Sequence, residues 1–409
     1  MHESNFQRRR RLRSNLPKLN LLAALRGALL IIPVLVPFFQ EHGLSLTEIF
    51  WLQAIFGVTV AVLEVPSGYF SDTVGRKASL VIGAWGVTLG FGAYAFANDF
   101  WGFLVGELIL AIGCGFISGS DSAIVYDTLV ELEEEERYAS AYGRQRSLAN
   151  FSEAISSIAG AALAVISLRI PMFLQVGVCA LSIPVAMSVV EPARQRFANS
   201  GGPWAGMKDI AKEALGLEQE IRRLIVLSSI LMTATLTMVW FTQPWLTEAS
   251  IPLAAFGIIW AALRTGVGVS SLFAAKLETK LGFNRTVAVV ILALIGGFTL
   301  CAWRQTPWLI PALLAFSFVR GTSMIVFSEA INRATPSDRR ATVLSIESLL
   351  CRLLFAPLAP FVGWIADVFS LSTAIGLSGV LFAVGTTLVY RRLVAPGRDK
   401  ILTQLPIAP

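Results

Sequence analysis

Gly68-Tyr69-Phe70-Ser71-Asp72-Thr73-Val74-Gly75-Arg76-Lys77 occupies the short gap between two long apolar stretches. One acidic and two basic residues are spaced by glycines there, in the order G-x-x-x-D-x-x-G-R-K. Glycine permits the backbone of a tight turn, and charges at such a junction can latch onto neighbouring helix ends. The preceding residues, Glu64-Val65-Pro66-Ser67-Gly68, carry the pattern back into the first apolar stretch.

Outward from this turn the chain is overwhelmingly apolar. Of 409 residues, 55% are hydrophobic and 15% charged, and the mean hydropathy is +0.67. These values lie outside the range of a soluble domain. Apolar runs of about 20 residues recur along the sequence, the length of a helix that crosses a hydrocarbon core of roughly 30 Å. A membrane β-barrel would alternate polar and apolar residues, and these runs do not. The expectation is an all-α membrane protein with twelve spans, at 19–40, 49–70, 78–98, 102–126, 146–168, 171–190, 224–246, 254–276, 286–303, 308–329, 341–366 and 371–390.

With the N-terminus placed in the cytoplasm, only Arg169 and Arg304 of the 33 Lys and Arg fall in outer loops. That asymmetry predicts both termini on the cytoplasmic side. The basic run Arg8-Arg9-Arg10-Arg11-Leu12-Arg13 then reads as a positive-inside flank facing anionic lipid headgroups, not as a nucleic-acid element, although the net charge is +6. It is not a cleaved leader either, because the apolar run after it is too long and lacks an A-x-A-like site.

Cys114, Cys179, Cys301 and Cys351 fall in separate spans and read as small core residues. The two histidines, His2 and His42, lie in the tail and the first outer loop, which excludes a membrane-embedded histidine metal site or proton relay. Any proton carrier within the membrane must then be a carboxylate. No metal and no cofactor is expected. Nor is ATP, since the chain has no G-x-x-x-x-G-K-[ST] loop.

The hydrophilic stretch Glu191 to Arg223 separates six spans from six. The expected organisation is a basic tail (1–18), a first six-helix bundle (19–190), a central linker (191–223), a second bundle (224–390) and a C-terminal tail (391–409). Within the linker, 204–223 reads equally as an amphipathic helix on the inner leaflet or as a solvated connector. A shift of 207 residues aligns Pro37 with Pro244, Glu41 with Glu248, Leu46 with Leu253, Gly75 with Gly282 and Trp101 with Trp308. These landmarks fall at equivalent span ends, as expected of two halves related by an axis along the membrane normal. The second copy of the turn, Leu277 to Arg285, keeps the glycine but has lost the aspartate and the Arg-Lys pair.

The G-x-x-x-D-x-x-G-R-K pattern, with E-V-P-S-G running into it, resembles the loop signature of the major facilitator superfamily, in its bacterial type. The resemblance implies twelve helices in two pseudo-symmetric six-helix bundles and transport by alternating access. It also implies a gate: Asp72 meets the start of span 11 near Ala341, and Arg76 pairs with an acidic residue ending span 4, for which Asp127 is the match. Gly68, Gly75 and Lys77 complete the motif. Pro336-Ser337-Asp338-Arg339-Arg340 is similar to the sequence common before span 11 in such proteins. One departure is that Ser147 to Leu168 contains no proline, unlike the fifth span of typical drug/proton antiporters.

Ionisable groups inside a membrane are costly and should face a partner or a wet cavity. The first half carries Arg26, Glu64, Glu107, Asp121 and Glu153; the second carries Arg264, Arg320, Glu347 and Arg352. Glu107, Ala111, Cys114, Ser118 and Asp121 step by four and three, as one polar stripe of span 4. Asn150, Glu153, Ser157 and Gly160 do the same in span 5, and close helix packing accounts for the small residues in both stripes as well. Glu64, Asp121 and Glu153 are the candidate proton carriers. Arg26, Arg264, Arg320, Glu347 and Arg352, with Trp240 and Gln243 at the end of span 7, are the candidate substrate-binding residues. Arg26 reads equally as a permanent partner of Glu64 or Asp121, Arg352 as a structural partner of Glu347, and Trp245 as part of an interfacial aromatic belt. The acidic run Glu131 to Glu136 reads as a solvated face.

The expectation is therefore a monomeric, proton-coupled secondary transporter of a small organic solute in a bacterial inner membrane, working without nucleic acid. Arginines in the second half suit a substrate with an acidic group. The first competing reading is a multidrug/proton antiporter exporting lipophilic cations through the carboxylates of the first half. A non-transporting sensor or an intramembrane enzyme is the competitor of another class.

Overall fold

The computed structural model describes residues 5–193, 216–335 and 340–394. Most of the 204–223 linker segment and residues 336–339 lie outside the described residues. All regular structure among the described residues is helical. The first part of the chain forms α1 (Asn5–Arg13), α2 (Asn15–Gly27), α3 (Leu35–Glu41), α4 (Leu46–Thr73), α5 (Arg76–Phe96), α6 (Phe100–Ser118), α7 (Asp121–Leu132), α8 (Tyr138–Ala164) and α9 (Arg169–Ser188). The second forms α10 (Gln219–Glu248), α11 (Leu253–Leu281), α12 (Phe283–Trp303), α13 (Ile310–Ala334), α14 (Arg340–Val368) and α15 (Leu371–Leu393).

Among the described residues, 11 helical segments are long and apolar enough to cross a membrane. The expected fifth span lies in α8, which is long enough but is diluted by Arg144, Arg146, Asn150 and Glu153. Together these helices make the all-α, multi-spanning fold that the hydropathy pattern predicts.

Two spans expected to be continuous are broken. The first stops at Gly27 and resumes through a 3-10 turn at Ile32–Val34 into α3. Pro33 and Pro37 cannot donate to a helical ladder, and a broken helix in a membrane needs its freed amides satisfied. Gln175, wholly buried on α9, supplies one acceptor: its Oε1 takes the Leu30 amide at 2.7 Å. The fourth span breaks at Gly119-Ser120, so the stripe from Glu107 to Asp121 is not one helix face. Asp121 instead opens α7, where a carboxylate is favoured by the first-turn amides.

The 207-residue repeat is visible in the elements. Helices α4 and α11 begin at the aligned Leu46 and Leu253, and α5 and α12, each of 21 residues, align end to end. The turns between them pivot on Gly75 and Gly282, with φ of 155° and 79°. An L side chain would be strained at either position.

Packing divides the chain into two compact units, one of 1–43, 55–207 and 253–261, the other of 44–54, 208–252 and 262–409. In the first, α5 and α6 approach so closely that a Cβ on Gly113 would lie 2.5 Å from the Val87 amide nitrogen. Small residues permit such approaches where packing rather than the hydrophobic effect holds helices together. Leu19, Leu22, Leu80, Ile124 and Leu129 form its buried core toward α1, while Phe38, Phe39, Tyr94 and Phe103 meet edge to face at the other end. In the second, Phe298 packs between Phe316 and Phe382.

The acidic run is not simply a solvated face, and the basic tail is not wholly given to lipid. Arg8 grips Glu131 through two contacts of 2.5 and 3.0 Å, Arg9 reaches Glu133 at 3.3 Å, and Arg13 meets Glu134 at 2.9 Å. Leu12 is fully buried beneath them, and Asn15 exchanges hydrogen bonds with Val190. Burial would raise the Glu134 carboxyl, but hydrogen bonds from Arg13 and Arg137 outweigh it and hold it below the ordinary value. Opposite charges far apart in sequence find each other here because α1 lies across the α7–α8 turn.

Candidate functional site

The Gly68–Lys77 turn is built as a network. Arg76 is salt-bridged to Asp72, four residues back across the Gly75 turn, at 2.5 Å and to Asp127 on α7 at 3.1 Å, and it donates to Ser71 at 3.1 Å. Arginine suits this position because its planar fork addresses several acceptors at once. Glu191 accepts the amides of Arg76 and Lys77 at 2.9 and 2.7 Å, neutralising the start of α5. Gly68 lies against α6's end, where a Cβ on Gly119 would sit 3.2 Å from the Gly68 amide nitrogen.

Within the first unit, Arg26 pairs with Asp121. Its Nη2 lies 2.6 Å from Asp121 Oδ1, with both side chains about one quarter exposed, at 23% and 25%. Beside this pair lies a cavity of about 370 Å³, lined by Arg26, Leu29, Phe56, Phe91, Leu110 and Cys114 among others. Ligand pockets have this mainly apolar character with few polar groups. Glu153 is buried on α8 and accepts a hydrogen bond from Trp260 Nε1 at 3.2 Å. Glu64 is half-buried on α4, one turn before Ser67, whose hydroxyl donates to its carbonyl.

The second unit gathers Arg320, Glu347 and Arg352 around Cys351, whose thiol feels the charge of all three. Arg264, on the exposed side of α11, is near enough to Arg320 for the two cations to repel. Arg320 donates to the Thr235 hydroxyl at 3.2 Å and has no carboxylate partner among the described residues. Glu347 accepts from the Ser228 hydroxyl on α10. Gln243 is buried and Trp240 half-buried on the same helix.

Trp245 does not stand in an exposed aromatic belt. It is fully buried, and its Nε1 donates to the Cys301 carbonyl at 3.0 Å. Three residues escaped the sequence reading: Gln175, which satisfies the broken first span, Trp260, which meets Glu153, and Asp367, which caps α4. Only Gln175 carried a signal, as a lone amide inside an apolar span.

Residues 20–354 match the family model described as Major Facilitator Superfamily. The chain belongs to the Major Facilitator Superfamily. The fold agrees with that of solved transporters of low sequence identity. A mutant form of the nucleoside transporter NupG superposes with a TM-score of 0.77 at 14% identity, covering 94% of this chain and 99% of that one. A bacterial homologue of the human lysosomal transporter Spinster, inward-facing and unoccupied, gives 0.71 at 15% identity, covering 93% and 95%. A POT family transporter in complex with 5-aminolevulinic acid gives 0.71 at 12%, covering 92% and 95%. No curated protein matches the chain in sequence.

Proposed function

We propose that the chain is a proton-coupled secondary transporter that moves a small organic solute bearing an acidic group by alternating access, as a monomer in a bacterial inner membrane with both termini cytoplasmic. The observation that carries the acidic-group reading is Arg320: a membrane-embedded guanidinium bonded to a hydroxyl, with Arg264 close by and no carboxylate partner among the described residues. A buried cation without its counter-charge is costly, and a carboxylate on the substrate relieves that cost. In this reading Arg264, Arg320 and Arg352 hold the acidic group, and Trp240, Gln243 and Glu347 shape the rest of the site.

Glu64, Asp121 and Glu153 are the proton carriers of the scheme. Asp121 is already engaged by Arg26, so a proton reaching it must displace the guanidinium, and an acidic substrate can compete for the same arginine. The Asp72–Arg76–Asp127 network serves in this scheme as the gate of the first bundle (19–190), making and breaking its ion pairs over the cycle.

The second reading, export of lipophilic cations, draws on the apolar cavity beside Asp121. A screen separates the two. Purified protein is tested for thermal stabilisation by organic acids, siderophores, amino acids, sugars and lipophilic cations, and hits are followed by uptake into proteoliposomes with and without a pH gradient. Acids are expected to stabilise the parent protein and not Arg320→Gln. Stabilisation of both proteins by lipophilic cations alone overturns the acidic-substrate reading in favour of the second.

A further inference from the structure

We infer that the basic end of α11 and the facing stretch of α13 form a binding site for an anionic phospholipid. A groove of about 450 Å³ runs between the two helices. Lys276 and Lys280, one turn apart, stand at the end nearest the Gly282 turn. Val269 and Phe273 on α11 and Phe318 on α13 continue the groove toward the middle of the span. Charge at the helix end and hydrocarbon toward its centre is the order in which a phospholipid presents phosphate and acyl chain. Basic pockets between membrane helices hold anionic headgroups in this way.

Three features of the groove point to that ligand. Neither lysine has a carboxylate partner among the described residues, and the acid between them in sequence, Glu278, turns to Arg333 at 3.9 Å. Lys276 Nζ lies 5.7 Å from the Phe273 ring centroid, which lays the cation over the apolar part of the groove. Thr322 is fully buried, lines the groove, and its hydroxyl has no hydrogen-bond partner among the described residues. A buried hydroxyl left unbonded is unfavourable, and an ester or phosphate oxygen on the groove floor supplies its acceptor.

A soluble anion explains the lysines but not the remainder. Phe273 and Val269 are 57% and 47% exposed, so the groove opens sideways to hydrocarbon and only a ligand with an acyl chain covers it. The groove is not lined by Arg264, Arg320 or Arg352, and the inference does not depend on the transport reading given above.

The test is native mass spectrometry and thermal unfolding of the full chain with dioleoylphosphatidylglycerol, dioleoylphosphatidylcholine or glycerol 3-phosphate. The parent protein and the Lys276→Arg/Lys280→Arg pair are expected to retain phosphatidylglycerol and to unfold several degrees higher with it. Retention should fall at least fivefold in the Lys276→Gln/Lys280→Gln pair and in Val269→Trp, which fills the apolar part while leaving both charges. Equal retention by the glutamine pair and the parent overturns the proposal. So does stabilisation by glycerol 3-phosphate as large as that by phosphatidylglycerol, which would make the groove a site for a soluble anion.

Discussion

Asp367, near the end of α14, accepts hydrogen bonds from the amides of Leu46 and Thr47 at 3.0 and 2.7 Å and from the Thr47 hydroxyl at 2.5 Å. A carboxylate thus caps the start of α4 from 320 positions away in sequence. First-turn amides have no partner within their own helix and carry partial positive charge. Asp367→Ala is expected to destabilise this end of α4 by about 1 kcal/mol, the usual cost of a lost cap. Hydrogen exchange over 46–50 should quicken while exchange in α5 stays unchanged. Equal protection in parent and variant would show that the carboxylate does not hold the helix.

The Arg26–Asp121 pair should behave as a coupled unit. Removing one partner of a buried pair leaves an uncompensated charge, and partial exposure brings the expected cost to roughly 2 kcal/mol. Arg26→Gln and Asp121→Asn should each lower the unfolding temperature, and the double variant should lose less than the two singles together. Additive losses would mean that the two side chains act independently.

Neutralising the proposed proton carriers separates coupling from passage. Glu64→Gln or Asp121→Asn is expected to abolish gradient-driven accumulation in proteoliposomes while leaving counterflow exchange at about the parent rate. An unchanged pH dependence in both single variants and in the double variant would falsify the role of these carboxylates.

The clamp between α1 and the acidic turn should loosen in acid. The Glu134 carboxyl is held below its ordinary value of 4.5 in the folded protein. Its contribution is therefore fully present above that value and is lost as pH falls through the lower folded one. Exchange over residues 5–13 should be slow at pH 7 and quicken below about pH 4. Glu134→Gln should weaken the protection already at pH 7 and flatten its change with pH.

The reach of the sequence follows from the physics of each signal. A span needs only a long apolar run, a local property, so the class and the 207-residue repeat could be read before any coordinates. The Gly75 turn was equally legible, since its glycine and charges sit within a few positions of one another. Breaks in the first and fourth spans were not, because Pro33, Pro37 and Gly119 are tolerated in membrane helices wherever neighbours satisfy the backbone. Whether Gln175 would reach Leu30 depended on how α9 packs against the first span.

Pairing of charges was the part that composition left undecided. The sequence alone put Arg26, Asp121, Glu153, Arg320 and Glu347 inside expected spans, since each interrupts an apolar run. Tertiary structure decided that Arg26 meets Asp121, that Trp260 meets Glu153, that Glu347 takes Ser228, and that Glu131, Glu133 and Glu134 receive the N-terminal arginines. The physical reason is range: hydropathy is summed along the chain, whereas an ion pair forms across a few ångströms between residues about a hundred positions apart.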